Sequence, residues 1–372
     1  MLARALSKQV AADLEAKMVL LSGPRQSGKT TLARAILGQQ HRSVASRYLN
    51  WDDDEGRTRV LKREFPHKGL LIFDELHKYS RWRNFLKGLY DVHGKALRIL
   101  VTGSARLDLY RRGGDSLQGR YHHLRLYPLS MKEAGCSLGD LMALGPFPEP
   151  LLAGLATAAR RWSRQHRSRL VREDVASLEH IDEMGALEQL SVRLPELVGS
   201  PLSLNALRED LQVAHKTVER WVDILERLMF VFRLAPFGPP RIKAVKKSRK
   251  HYLFDWTTVD DRGARFENLV GFHLLKECHY LEDVEGHDTE LRFFRDVEGR
   301  EVDFVQLKSG RPVRFVECKV ADTVVSPALL YLRRKFPTVE ALQVLGTRGV
   351  DRIGREGVRL VSADRFLGEL MV

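Results

Sequence analysis

Gly23-Pro24-Arg25-Gln26-Ser27-Gly28-Lys29-Thr30 lies between an apolar run, Met18 to Leu21, and a stretch with helical patterning, Thr31 to Leu37. Its fixed positions are those of the GxxxxGK[ST] phosphate-binding loop. Gly23 and Gly28 let the backbone turn its N–H groups inward around phosphates, and the positive N-terminal end of the following helix adds to the attraction. Lys29 neutralises β- and γ-phosphate charge, and the Thr30 hydroxyl can ligate Mg²⁺. Strand before and helix after are the context this motif requires. The segment therefore implies a nucleoside-triphosphate site formed by Gly23, Pro24, Arg25, Gln26, Ser27, Gly28, Lys29, Thr30 and Thr31, with ATP and Mg²⁺ as cofactors.

A second half of the site follows. Leu70 to Phe73 is continuously apolar, as a buried parallel strand should be, and it ends in Asp74-Glu75. Open α/β sheets place ligands at the C-terminal ends of their strands. Asp74 is expected to hold Mg²⁺, directly or through water, and Glu75 to orient or deprotonate the attacking water. A third strand, Arg98 to Val101, runs into Thr102-Gly103-Ser104. A hydroxyl there reads equally as a γ-phosphate contact, with Thr102 the named candidate, or as a helix cap.

The stretches Gly23 to Thr31, Leu70 to Lys78, Ile99 to Ala105 and Gly119 to Ser130 together resemble the AAA-type P-loop ATPases, and more narrowly a bacterial and archaeal family with an uncharacterised C-terminal domain. The resemblance extends over most of the chain and implies ATP hydrolysis. Where that family commonly carries Gln, two positions after the Asp-Glu pair, His77 stands here. The resemblance also makes Arg120 a candidate arginine finger for a neighbouring subunit's γ-phosphate, and so implies a homo-oligomer, with a ring among the arrangements.

The 372 residues are enough for two or three cores, and a net charge of +13 favours an anionic partner beyond the nucleotide. Cys136, Cys278 and Cys318 are widely separated, which fits neither a zinc pattern nor a disulfide framework. No apolar run approaches the length needed to cross a bilayer, and no signal peptide is recognisable. The expectation is a soluble, cytoplasmic α/β protein with no membrane partner.

Organisation follows from the texture of the chain. Strands and helices alternate from Met18 to Leu126, which implies a parallel sheet with helices on both faces and an ATPase core over residues 1–145. The Gly/Pro cluster 145–150 breaks the pattern, and Leu151 to Leu194 reads as helical throughout. Residues 146–195 are therefore expected to form a helical lid, with Arg160, Arg161, Arg169 and Arg172 as possible phosphate sensors.

Residues 196–256 differ. Ser203 to Leu211 and His215 to Leu228 are amphipathic helices joined by Gln212-Val213-Ala214, followed by apolar strands at Phe230–Leu234 and His251–Phe254. That order predicts a winged helix-turn-helix. Between the strands, Arg241 to Lys250 carries six positive charges. Six phosphate contacts correspond to a log–log salt slope of roughly −5. Lys216, Lys246, Lys247, Arg249 and Lys250 are the candidate DNA-binding residues, for duplex or branched DNA; a solvated loop or a protein contact is the plainer alternative.

Residues 257–372 hold a different constellation. A helix from Ala264 carries Glu267, a strand holds Asp303, and the strand Val313–Val316 runs into Glu317-Cys318-Lys319. An acidic residue followed across a hairpin by Glu-x-Lys resembles the PD-(D/E)XK nucleases, although Val302 stands where those enzymes carry Pro. The resemblance implies a restriction-endonuclease-like α/β fold. Asp303, Glu317 and Glu267 would then be ligands to Mg²⁺, and Lys319 a catalytic group beside the scissile phosphate. A salt-bridged strand edge is the alternative. The sequence thus supports an ATPase that moves or remodels DNA with a nuclease-like grip, or else a regulatory ATPase switch whose C-terminal fold is an inactive DNA- or protein-binding clamp.

Overall fold

A computed structural model of the chain describes residues 2–40, 47–103, 117–176, 181–238 and 249–372. The chain divides into two units, Met1–Pro128 and Leu129–Val372.

The first unit alternates helix and strand: α1 (Ser7–Asp13), β1 (Met18–Ser22), α2 (Lys29–Gln40), β2 (Tyr48–Asn50), α3 (Asp54–Lys62), β3 (Gly69–Asp74), α4 (Trp82–His93), β4 (Leu97–Gly103) and β5 (Tyr121–Arg125). The strands form one parallel sheet in the order β2-β3-β4-β1-β5. β1 is buried along its whole length, as is β3 after its first residue; both are runs of apolar side chains, the pattern of strands covered on two faces. Leu71, Phe73, Ile99 and Val101 join Leu86 and Leu89 of α4 in one core. Asp53 starts α3 by accepting the Gly56 N–H at 2.7 Å. The strand order decides the site. Because β4 lies between β1 and β3, Thr102 is level with Asp74 and Gly103 with Ser22, so all three strands deliver their C-terminal residues to one edge.

The second unit opens with α5 (Met131–Ala134), α6 (Leu138–Leu144), α7 (Pro148–Ala153) and α8 (Ala156–Arg169), then a π-helical turn, Leu170–Val175, and α9 (Met184–Arg193). The continuous helix expected from Leu151 to Leu194 is thus broken. Gly154, at φ 68, takes the left-handed conformation that terminates α7, which a Gly tolerates at no steric cost. Arg160, Arg161 and Arg169 lie on α8, and Arg172, in the π turn, is bonded to Glu188.

α10 (Leu204–Leu211) and α11 (His215–Arg227) follow. Ser203 Oγ caps α10 by accepting the Ala206 N–H, and Gln212, at φ 55, ends it, so the chain turns within three residues. α11 buries Val218, Trp221, Val222 and Leu225 on one face. β6 (Val231–Leu234) and β7 (Lys250–Leu253) then pair antiparallel, Val231 opposite Leu253. The expected element order of two helices and a two-stranded ribbon is present.

The C-terminal part is a mixed sheet in the order β12-β13-β11-β10-β9-β8, made from β8 (Thr289–Arg295), β9 (Glu301–Lys308), β10 (Arg311–Lys319), β11 (Glu340–Leu345), β12 (Asp351–Ile353) and β13 (Arg359–Ser362). β8, β9 and β10 form an antiparallel meander, whereas β10, β11 and β13 run parallel. The long helix α12 (Arg262–Glu285) approaches the sheet closely: a Cβ on Gly271 would stand 2.6 Å from Cζ of Phe304. α13 (Pro327–Lys335) contributes Leu329 and Leu332 to a core with Phe294 and Phe315, and α14 (Ala363–Glu369) closes the fold.

Candidate functional site

The nucleotide loop is shaped by two close constraints. A Cβ at Gly23 would stand 2.1 Å from the carbonyl oxygen of Leu126, and Gly28 adopts φ 96. Lys29 and Thr30 occupy the first turn of α2, so the loop runs directly into the helix N-terminus. Lys29 is buried, and its Nζ donates to the carbonyls of Gly23 at 3.0 Å and Pro24 at 2.6 Å. Ser27 is buried, Arg25 and Gln26 are half-buried, and Thr31 is exposed. Thr30 Oγ1 donates to Asp74 Oδ2 at 2.8 Å, Thr102 Oγ1 donates to Asp74 Oδ1, and the Tyr48 hydroxyl donates to Asp74 Oδ2 at 2.5 Å. Burial, then the bond to and charge of Asp74, push the Tyr48 phenol well above its ordinary range. Arg34 stacks over the Tyr48 ring at 4.1 Å. Three hydroxyls therefore fix one carboxylate at the edge of the sheet.

Glu75 takes the left-handed conformation, φ 55, immediately after β3, with its N–H on the Thr102 carbonyl at 2.9 Å. Burial raises its pKa above the ordinary glutamate value, against the pull of Lys29 and Lys78. His77 Nε2 lies 3.7 Å from Glu75 Oε2. Burial first, then Lys78 and Lys29, hold His77 down to about 4, so it stands beside the carboxylate as a neutral ring. A hard oxygen pair, Thr30 and Asp74, beside a phosphate loop suits Mg²⁺, which takes one or two protein oxygens and completes its shell with phosphate and water.

Arg4 is a site residue that no motif announced. Its Nη1 donates to the Ser27 carbonyl at 2.8 Å and its Nη2 to the Tyr127 carbonyl, tying the loop to the chain that leaves β5. An isolated arginine before α1 carries no spacing signal; only the fold brings it there. Arg120 is placed elsewhere. It precedes β5, at the N-terminal edge of the sheet, and holds Asp91 at 2.8 Å. The five-residue run of β1 and β5 between the two edges, four steps of the strand, spans roughly 13 Å, so Arg120 does not reach the nucleotide loop of its own chain. Ser104 lies outside the described residues.

In the second unit Glu267 and Asp303 do come together, but around an ammonium group, while Glu317 is held by Lys319. Lys250 Nζ stands 2.5 Å from Glu301 Oε1, 3.3 Å from Glu267 Oε1 and 3.8 Å from Asp303 Oδ1. Tyr252, two residues along β7 and on the same face, donates its hydroxyl to Glu267 Oε1 at 2.7 Å. Asp303 Oδ2 accepts the Cys318 N–H at 2.8 Å, and Lys319 Nζ holds Glu317 Oε1 at 2.8 Å. Glu317 Oε2 is buried with no hydrogen-bond partner. Burial, then Asp303, push Glu267 up to about 8 and Glu317 up to about 7, with Lys250 opposing in both cases; burial also raises Asp303. Among the described residues no group of three or more His, Cys, Asp or Glu is arranged to hold a metal ion.

Lys250 thereby departs from its expected place on a DNA-binding hairpin. It is fully buried, since its carboxylate partners lie inside the fold, and cannot also meet a phosphate backbone. Lys216, in the first turn of α11, and Arg249 are exposed, whereas Lys246 and Lys247 lie outside the described residues.

The fold and the loop geometry agree with a family match. Residues 15–135 match the model of an AAA domain. That stretch is similar to AAA domains. Residues 137–258 and 262–365 match two further models, each described as a domain of unknown function, DUF8612 and DUF4143. Among curated relatives, the chain is 27% identical to an uncharacterized protein of Mycobacterium tuberculosis, over 91% of this chain and 83% of that protein. It is 23% identical to an uncharacterized protein of Methanocaldococcus jannaschii, over 70% of this chain and 68% of the other. Among solved structures, the RuvB Holliday junction branch migration motor of Thermotoga maritima is 20% identical, with a TM-score of 0.31, covering 67% of this chain and 92% of that one. The reading of the site rests on its residues. No helix among the described residues is long and apolar enough to cross a membrane.

Proposed function

We propose that the chain is a Mg²⁺-dependent ATPase whose turnover is coupled to binding or remodelling DNA, acting as a homo-oligomer. The observation that carries the nucleotide half is the convergence of Lys29, Thr30, Asp74, Glu75 and Thr102 on one edge of the parallel sheet. The loop amides and Lys29 bind the β- and γ-phosphates, with Lys29 exchanging its loop carbonyls for phosphate oxygens. Thr30 and Asp74 would hold Mg²⁺, which would supply neutralisation of phosphate charge there. Glu75 positions the attacking water and accepts its proton, and Thr102 keeps Asp74 oriented while reaching toward the γ-phosphate. Arg120, remote from its own site, acts on a neighbouring subunit.

The DNA half rests on charge and shape. The net charge is +13, the α10–α11 pair and the β6–β7 ribbon have the order of a winged helix, and the basic run from Arg241 leads into β7. In this reading the C-terminal α/β part serves as a grip. The experiment is the steady-state ATPase rate with and without duplex, forked and four-way DNA, with oligomer mass recorded alongside. Stimulation by DNA supports coupling. An ATPase indifferent to every DNA tested favours the regulatory switch, because a motor must link the two sites energetically.

A further inference from the structure

The acidic cluster of the C-terminal part is built like a cation site, yet its cation is part of the chain. An ammonium group has three N–H donors, and Lys250 Nζ faces three carboxylates, Glu301, Glu267 and Asp303, from a side chain with no solvent exposure. Two further oxygens that a nuclease would offer to a divalent ion are engaged, Asp303 Oδ2 by the Cys318 amide and Glu317 Oε1 by Lys319. Glu317 Oε2 is buried with no hydrogen-bond partner, and the negative charge that a divalent ion would need from Glu267, Asp303 and Glu301 is already matched by the ammonium.

We infer that Lys250 is the permanent cation of this site, standing where a nuclease-like fold would hold its metal, and that the C-terminal α/β part is a metal-independent clamp that does not cut nucleic acid. The inference is independent of the nucleotide site. Burial works to lower the Lys250 pKa, but the charges of Glu267, Asp303 and Glu301 more than reverse that, and the group stays an ammonium. Several carboxylates without a counter-ion would be costly in so buried a place. One buried lysine serves them all and also fixes β7, and with it the last residue of the basic run, to α12 and β9.

The test uses the full chain, stripped of metal and free of nucleotide. Wild type and Asp303→Asn are heated with and without millimolar Mn²⁺ or Mg²⁺, and plasmid nicking is followed under the same conditions. The expected result is no metal-dependent rise in Tm for either protein and no nicking. A rise in wild type that is lost in Asp303→Asn, or Mn²⁺-dependent nicking abolished by Lys319→Ala, overturns the inference. Lys250→Met adds a second reading. It should lower Tm by several degrees at pH 8 and less at pH 5, where protonated carboxylates no longer need the ammonium. Added Mn²⁺ should restore part of the loss. Unchanged stability at pH 8 overturns the inference, and if Lys250→Met does not fold, the metal comparison of wild type with Asp303→Asn still decides.

Discussion

Thr30 Oγ1, in the first turn of the helix after the phosphate loop, lies 2.8 Å from Asp74 Oδ2, at the end of a strand two positions away in the sheet. The pair is separated by 44 residues in sequence. It exists because β4 spaces β1 and β3 so that both open onto the same edge. Removing a hydroxyl that holds Asp74, from Thr30 or from Tyr48, should therefore weaken Mg²⁺-dependent nucleotide binding without unfolding the sheet. Thr30→Ala and Tyr48→Phe are each expected to lower affinity for the Mg²⁺-nucleotide by about 10- to 100-fold, as changes to metal ligands and their supporting bonds typically do. Binding of a fluorescent ATP analogue, titrated at several Mg²⁺ concentrations, checks this. Equal affinity in wild type and Thr30→Ala would remove Thr30 from the site.

The raised pKa of Glu75 sets the pH dependence. A base must be ionised to act, so hydrolysis should climb with pH through a midpoint above 4.5, the ordinary value for this carboxyl. His77, held down to about 4, stays neutral across that range and should contribute nothing to the limb. A pH–rate profile of His77→Gln should keep the rising limb at the same position. Loss of the limb in that variant would transfer the titrating role from Glu75 to His77.

Arg120 is separated from its own nucleotide loop by the depth of the sheet, so its proposed part in hydrolysis requires a second subunit. Arg120→Ala should fold and bind ATP but hydrolyse it at least 10³-fold more slowly, in keeping with arginine fingers elsewhere. Mixing it with Lys29→Ala should restore some turnover, because one protein supplies an intact loop and the other an intact arginine. A monomeric wild type with full activity would exclude the role.

Replacing Lys216, Lys246, Lys247 and Arg249 with Gln should weaken binding to all DNA sequences alike. The magnitude of the salt slope should fall by roughly 0.9 per lost phosphate contact. Lys250 is left out of the set because it is buried in the acidic cluster. Binding isotherms across a salt series give the slope directly, and an unchanged slope would mean that these residues face protein or solvent.

Much of this was legible in the sequence where chemistry and periodicity coincide. The phosphate loop, the apolar strand into Asp74 and the Glu-x-Lys strand each fix residue types at short spacing, and β1, α2, β3 and β4 fall within a few residues of the stretches expected at Met18–Leu21, Thr31–Leu37, Leu70–Phe73 and Arg98–Val101. Tertiary relationships were less visible. Arg4 carries no motif, and Lys250 read as one more charge in a basic run because nothing local shows that β7 turns its first side chain toward Glu267 and Glu301. β12 is only three exposed residues, Asp351–Ile353, paired to β13, and so had no hydrophobic period to reveal it. The break at Gly154 was hidden because a helical pattern of apolar residues continues on both sides of it.

The central claim is that Glu75 activates water at a phosphate loop that binds ATP independently of it. The most direct measurement is single-turnover ATP hydrolysis and nucleotide retention by purified wild type and Glu75→Gln, which replaces the carboxylate by an amide of the same shape. The account predicts retained ATP binding with hydrolysis slowed about 10²-fold or more, so that the ATP-bound state accumulates. Undiminished turnover in Glu75→Gln would contradict it.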